Sequence, residues 1–355
     1  MSEFDGMGSR RGFVTWLRTA RGSLVTTGDG HDPARRARAL ELLGLDDAAL
    51  DAFERASRVV VSLPCASPNT FFPQAGAAWY VHHLQRHDPD AFHLRVVLGH
   101  TDFDDPVWRP YTWWFLDGTG ALTRAPQATD GERSRSVVVA GRGPLRAVPE
   151  RATGADREAA EAARHGANRA LSYALLGAAV ERAAGLGERG RTLCVPLDLL
   201  VAYFRFAYLR TEQSPWAEAE VRWLATLFER YARGRRLGED GRLEPVDGLA
   251  EAFVLDPASN IALFSLLGPT EFVGGPETAE RWGEVEERVA ATGRASGVPA
   301  VGPLLRPLPD AAPYERLLPP SAPLARALAA EGIGYSTGMA VAEHGRFADR
   351  IDPFA

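Results

Sequence analysis

A chain of 355 residues with 45% hydrophobic and 24% charged side chains has the balance of an ordinary globular protein and length for one large or two modest cores. Its net charge of −6 argues against duplex DNA as a partner, and its two cysteines, Cys65 and Cys194, far apart and in different contexts, do not suggest a disulfide framework or a thiolate zinc site. The N-terminal residues lack an apolar signal region, and no uninterrupted run of about 18 apolar residues exists, so the expectation is a cytoplasmic protein without a membrane span.

In chain order, residues 32–58 read as helix with a break near Gly44, after which Asp46 and Asp47 can cap a second piece. VVVSL (59–63) reads as a buried strand, AGAAWYVHHLQRH (75–87) as a helix and FHLRVVLG (92–99) as a second strand. That order is a βαβ unit and predicts two adjacent parallel strands. YTWWFLDGTGALT (111–123) predicts a strand, a Gly-rich turn and a strand, and RSRSVVVAG (133–141) one strand more. The Ala-rich stretch 153–187 predicts a long helix and RTLCV (191–195) another buried strand. Residues 196–213 predict a helix with Pro196 at its first position. Residues 215–236 predict a further helix, with Val221, Leu224, Leu227, Phe228 and Tyr231 as its apolar stripe. Beyond Gly268 the chain turns Gly- and Pro-rich, and 297–323 reads as an extended arm. The expected fold is α/β, with a Rossmann-like parallel-sheet core, a predominantly helical second half and an irregular C-terminal extension. The expected division is an N-terminal helical segment (1–57), a Rossmann-like domain with a helical insertion (58–268) and an extension packed on the core (269–355).

The loop in SLPCASPNTFF (62–72) is the first candidate site. At the carboxyl end of a parallel strand, a loop places side chains in the crevice where ligands bind. Ser67 or Thr70 can attack an acyl group there, given a base or a leaving-group acid, and Asn69 can hold a substrate amine or amide. Ser, Pro and Asn are equally turn formers, and Thr70 suits a helix cap. Cys65 is either a second nucleophile candidate or small core packing. The chain has no G-x-S-x-G elbow, no P-loop and no dinucleotide fingerprint after a strand. In AYLRTEQSP, Tyr208 and Glu212 are four apart, hence on one face of a helix. A phenol and a carboxylate so placed can grip an ammonium, and the carboxylate can move protons; the plain alternative is a core Tyr and a solvated Glu.

The strand at 59–63, the Ser67–Phe72 loop, the helix after it and the Tyr208/Glu212 pair resemble the cyclodipeptide synthases over about residues 58–236. That family has a Rossmann-like domain related to class I aminoacyl-tRNA synthetases and joins two aminoacyl groups taken from charged tRNAs. The resemblance implies Ser67 as acyl acceptor, with Asn69, Thr70 and Phe71 behind it. It implies Tyr208 and Glu212 as the pair that orients the amino group, and Tyr231 as a further aminoacyl-site tyrosine. It also implies an aminoacyl-tRNA, or another activated acyl donor, as partner, and no cofactor.

His82, His83, His87, His93 and His100 crowd into 19 residues. His100-x-Asp102 at a strand end puts two ligands on one side of an extended segment. With a distal histidine, His344 before Arg350 or His165 before Arg169, they suit an Fe(II) site of the 2-oxoglutarate-dependent kind, although the helical middle of the chain does not suit that family's double-stranded β-helix. His83 and His87, four apart on a helix, can clamp a metal or simply line a solvated face. In WRPYTWWFLDGTG, Trp108, Tyr111, Trp113 and Trp114 can line an apolar pocket or stack on a base, with Trp113 expected to contact substrate. The function expected first is an acyl-serine acyltransferase forming an amide or cyclic dipeptide. An iron oxygenase and a non-catalytic partner of a biosynthetic complex follow it.

Overall fold

The computed structural model describes residues 9–25, 32–65, 76–97, 100–102, 112–126, 137–139, 150–183, 189–209, 218–237, 243–246, 254–268, 271–274, 282–298 and 304–307. The chain opens with α1 (Ser9–Leu24), α2 (Pro33–Leu43) and α3 (Asp47–Arg55). Asp32 accepts from the N–H groups of Ala34 and Arg35 to start α2, Gly44 ends it in the left-handed conformation, and Asp46 accepts from Ala49 N–H to start α3. The expected break and cap are therefore present. β1 (Arg58–Cys65), α4 (Gly76–His87) and β2 (Ala91–Val97) follow. β1 and β2 pair in parallel, from Arg58 beside Ala91 to Ser62 beside Arg95, as the βαβ reading requires.

Next come β3 (His100–Asp102), β4 (Thr112–Leu116), β5 (Leu122–Pro126) and β6 (Val137–Val139). β4 and β5 form the expected hairpin, and β3 pairs antiparallel with β6. The Ala-rich stretch is two helices, α5 (Gly154–Ala163) and α6 (Arg169–Ala183), instead of one. At the break, the Asn168 side chain accepts from Leu171 N–H to open α6. Gly166 packs so closely there that a Cβ would lie 2.4 Å from the Ser172 nitrogen.

β7 (Thr192–Pro196) passes directly into α7 (Leu197–Leu209), so Pro196 closes a strand and does not open the helix. α8 (Glu218–Thr226) runs into one π-helical turn, Leu227–Tyr231. The residues after that turn, expected to stay helical, are extended as β8 (Gly234–Leu237). With β9 (Leu243–Val246) and β10 (Val254–Leu255) they make a small antiparallel sheet. α9 (Pro257–Phe264), β11 (Glu271–Gly274), α10 (Trp282–Ser296) and β12 (Leu304–Pro307) complete the described chain.

The central sheet has five strands in the order β12-β11-β1-β2-β7, and every pairing is parallel. Numbered by their appearance in the chain, the strands run fifth, fourth, first, second, third across the sheet. This is the doubly wound Rossmann arrangement. The expected boundary at 268 fails here. β11 and β12 belong to the sheet, and β11 lies against β1, with Glu271 beside Val60 and Val273 beside Ser62.

The two faces of this sheet differ in chemistry. Alternation along the strands puts Val59, Val61, Phe92, Leu94, Val96, Leu193, Val195 and Phe272 on one face, all fully buried. Phe53 of α3 meets Phe92 at 5.0 Å between ring centroids, and Trp282 of α10 meets Phe272 at 5.8 Å. Burying each such ring stabilises the fold by roughly 1.5–3 kcal/mol. Ser62, His93, Arg95, Cys194 and Glu271 share the other face, which α4 and α6 cover. On the chain's entry side, Arg10 of α1 donates to the carbonyls of Phe53, Ala56, Leu267 and Gly268. One guanidinium thus ties down the segments that lead into β1 and β11. Among the described residues no helix is long and apolar enough to cross a membrane.

Candidate active site

From β1 the chain builds outward on one side through β2 and β7 and on the other through β11 and β12. The crossovers separate at the carboxyl ends of β1 and β11, and ligands of such sheets bind in the crevice opened there. β1 ends irregularly at this point. Ser62 pairs with Arg95, but Val97 pairs with Cys65, so β1 carries one extra residue between the two registers. Pro64 lies in that interval and has no N–H to give to a ladder. An extra residue bends its strand and re-aims the chain beyond it.

Ser67, Asn69 and Thr70 follow Cys65 by two, four and five residues. They lie outside the described residues, as do Glu212 and His344. Tyr208 is described. It stands near the end of α7, half-buried, edge-on to Phe228 at 5.2 Å, and its hydroxyl donates to Glu229 Oε1 at 3.5 Å. Burial, then the nearby Glu229 charge and this hydrogen bond, push its phenol above the ordinary value. The described contacts of Tyr208 therefore lead to the π turn. Tyr231 closes that turn, half-buried against the core. Trp113 sits in β4 opposite Ala125.

His100 and Asp102 sit in β3 opposite Val139 and Val137. The surrounding core is a parallel sheet with helices and not a double-stranded β-helix. No group of three or more His, Cys, Asp or Glu suited to a metal occurs among the described residues. His87 is exposed, the side chain of His83 lies outside the described residues, and His82 on the same helix is buried.

The structure draws together residues that the sequence reading left apart. His93 Nε2 and the Ser62 hydroxyl share a hydrogen bond of 2.8 Å. The His82 ring stands edge-on to His93 at 4.8 Å, with its own nitrogens 2.9 Å from Glu181 Oε2 and 3.3 Å from Gln85 Oε1. Gln85 is oriented by donating to the carbonyls of Arg191 and Ala91. Arg95 pairs with Glu181 at 2.5 Å and reaches the Cys194 sulfur at 3.6 Å. All seven side chains are buried. Ser62, Arg95 and Cys194 lie two or three residues before their strands end, so this network underlies the crevice at a depth of roughly 7–10 Å.

Burial, followed by the charges of His82 and Arg95, holds His93 well below its ordinary pKa. Burial pushes the Glu181 carboxyl up, but Arg95 and His82 outweigh it and keep the group below the usual range. Burial pushes the Cys194 thiol up to about 11, so it is not a thiolate at neutral pH. Ser62–His93 has the spacing of a nucleophile–base pair, yet Ser62 is 1% exposed, so its hydroxyl is closed off from solvent. The network is a foundation for the crevice. Its signal in the sequence is polar residues at alternate positions of otherwise apolar strands, His93 and Arg95 within FHLRVV and Ser62 within VVVSL.

No protein-family model matches the chain, and comparison with curated proteins and with solved structures found no match.

Proposed function

We propose that this protein is an acyltransferase whose reaction takes place in the crevice above β1 and β11, with Ser67 as the acyl acceptor. The observation that carries the reading is the strand order, which puts the end of β1 at the switch point of a Rossmann-like sheet, two residues before Ser67. Dinucleotide binding fits poorly. Its pyrophosphate needs glycines in the turn after the first strand, and residues 66–75 contain none and include two prolines. A loop of Ser, Asn, Thr and Phe serves side-chain chemistry instead.

In this reading the Ser67 hydroxyl attacks the ester carbonyl of an aminoacyl-tRNA or a similarly activated donor. A new ester forms on Ser67, the donor ester breaks, and the serine proton passes to the departing hydroxyl. Tyr208 and Glu212 hold the ammonium of the bound aminoacyl group, Asn69 and Thr70 flank the ester, and Trp113 and Tyr231 enclose the side chain. The amine of a second aminoacyl group, relieved of a proton by Glu212, then attacks the Ser67 ester. An amide forms as the Ser67 ester breaks, and Glu212 returns its proton to the serine oxygen. The free amine of the first aminoacyl group then attacks the ester of the second donor, whose hydroxyl departs with the amine proton, closing a cyclic dipeptide.

Incubation with a pool of charged tRNAs carrying labelled amino acids, followed by acid quenching, tests the proposal. Wild type is expected to carry label on Ser67, and Ser67→Ala to carry none while melting at the same temperature. Glu212→Gln is expected to take the first aminoacyl group but to release little product. A wild-type protein that deacylates no charged tRNA and retains no label overturns the proposal.

A further inference from the structure

α2, α5 and α6 line an open groove of about 960 Å³. Arg35 and Arg38 of α2, Arg157 of α5 and Arg182 of α6 line it, with Glu158 and Glu161 on the α5 wall. Beside it, a single carboxylate oxygen, Glu41 Oε1, takes three guanidinium groups: Arg38 at 2.9 Å, Arg189 at 2.9 Å and Arg182 at 3.4 Å. Three positive charges on one negative charge leave an excess, and each guanidinium has five donors of which the Glu41 contact uses few. Arg157 adds a further positive charge with no ion-pair partner among the described residues, whereas Arg35 is paired with Asp32. In a chain of net charge −6 this concentration is local.

We infer that the groove binds a small phosphorylated ligand bearing free hydroxyls, such as a sugar phosphate or a nucleoside monophosphate. A phosphate group brings two negative charges and several oxygens to the guanidinium forks, the geometry that arginine recognises best. The volume is that of a small-molecule site. Glu158 and Glu161 on the α5 wall can accept hydrogen bonds from hydroxyl groups, and they repel a long phosphate backbone, so the site suits one phosphate and not a nucleic-acid strand. The groove lies on elements separate from the Ser67 loop, and the inference stands whether or not the acyltransferase reading does.

Calorimetric titration with adenosine 5′-monophosphate and with inorganic phosphate tests it. The monophosphate is expected to bind, to be displaced by inorganic phosphate, and to weaken as salt rises. The double variant Arg38→Gln/Arg182→Gln is expected to lose about tenfold or more in affinity, the equivalent of ~1.4 kcal/mol, while Arg222→Gln on the exposed side of α8 binds as wild type. Melting temperatures without ligand verify that the variants fold. Absence of binding by both probes overturns the inference, and so does undiminished binding by the double variant. Binding of a single-stranded RNA where the monophosphate fails assigns the groove to a macromolecule and overturns it too.

Discussion

A Cβ at position 44 would stand 1.9 Å from the carbonyl oxygen of Thr192, and the backbone there has φ 70°. Gly44 is both the left-handed end of α2 and the place where that helix touches the start of β7. Gly44→Ala is therefore expected to cost several kcal/mol, roughly 1–2 for the backbone and more for the displaced strand. Gly120 supplies the comparison, because its φ is 81° and nothing lies within 4 Å of a Cβ. Gly120→Ala is expected to cost only about 1 kcal/mol, and urea unfolding of the two variants separates strain from collision. His93 offers a second measurement. The folded protein keeps it neutral well below its ordinary value of 6.5, while the unfolded chain takes up the proton at that value. Stability is thus at its full level above this pH and falls as pH drops below it, by up to about 1.4 kcal/mol per unit. His93→Gln is expected to flatten the pH dependence of unfolding free energy between about pH 6.5 and 5, a window set by the unfolded histidine. An unchanged slope refutes the assignment. Asp88 and Glu181 are both held below the ordinary carboxylate range, so their losses come at more acid pH.

Among the elements, those with local punctuation were legible in the sequence. Asp46 and Gly44 mark the break between α2 and α3 through local hydrogen bonds to the backbone of their own helices. The β1–α4–β2 unit shows in its change from a β-branched run to an amphipathic helix. The Ala-rich stretch misled because propensity is summed over a window, whereas the break depends on the close approach at Gly166 and on Asn168. β11 and β12 were hidden because EFVG and LLRP are four-residue strands whose identity lies in their neighbours. The same limit applies to the site. That the Ser67 loop leaves the carboxyl end of a parallel strand was readable. The buried network was not, since Ser62 meets His93 from 31 residues away and His82 meets Glu181 from 99. Arg10 shows what such distant contacts contribute between elements. Its donors satisfy four carbonyls on the segments entering β1 and β11. Arg10→Ala leaves these partly buried carbonyls short of donors and is expected to cost about 2–4 kcal/mol. Arg10→Lys is expected to recover only part of that loss, because an ammonium lacks the planar fork. Equal stability of wild type and Arg10→Ala in thermal melts rules the clamp out.

For the whole molecule, the Rossmann-like core extends at least to Pro307. A chain ended at Gly268 keeps β1, β2 and β7 but loses both strands on the other side of β1, together with α10 and its buried Trp282, Val285 and Val289. Such a truncation is expected to lack a cooperative melt and to bind a hydrophobic dye. A soluble product with a sharp transition returns 269–307 to the status of an appendage. The same topology orders the amide exchange rates. β1 is paired on both edges, and its Val59–Val61 amides should exchange last. β12 and β7 stand at the rims of the described sheet and should exchange sooner.

β1 takes its partner on one side, β2, from the next stretch of chain, but its partner on the other side from more than two hundred residues later. On a ribosome adding roughly 5–20 residues per second, the interval between the two is on the order of 10–40 s. Throughout that time the valines of β1 present an unpaired edge that matches the edge of any other nascent copy, the template from which sheets aggregate. Yield in the cell is then decided by how crowded the translating messages are and by how long a chaperone holds the half-built sheet. Slowing synthesis between residues 100 and 270 should lower recovery of soluble protein, whereas extra holdase at unchanged synthesis rate should raise it.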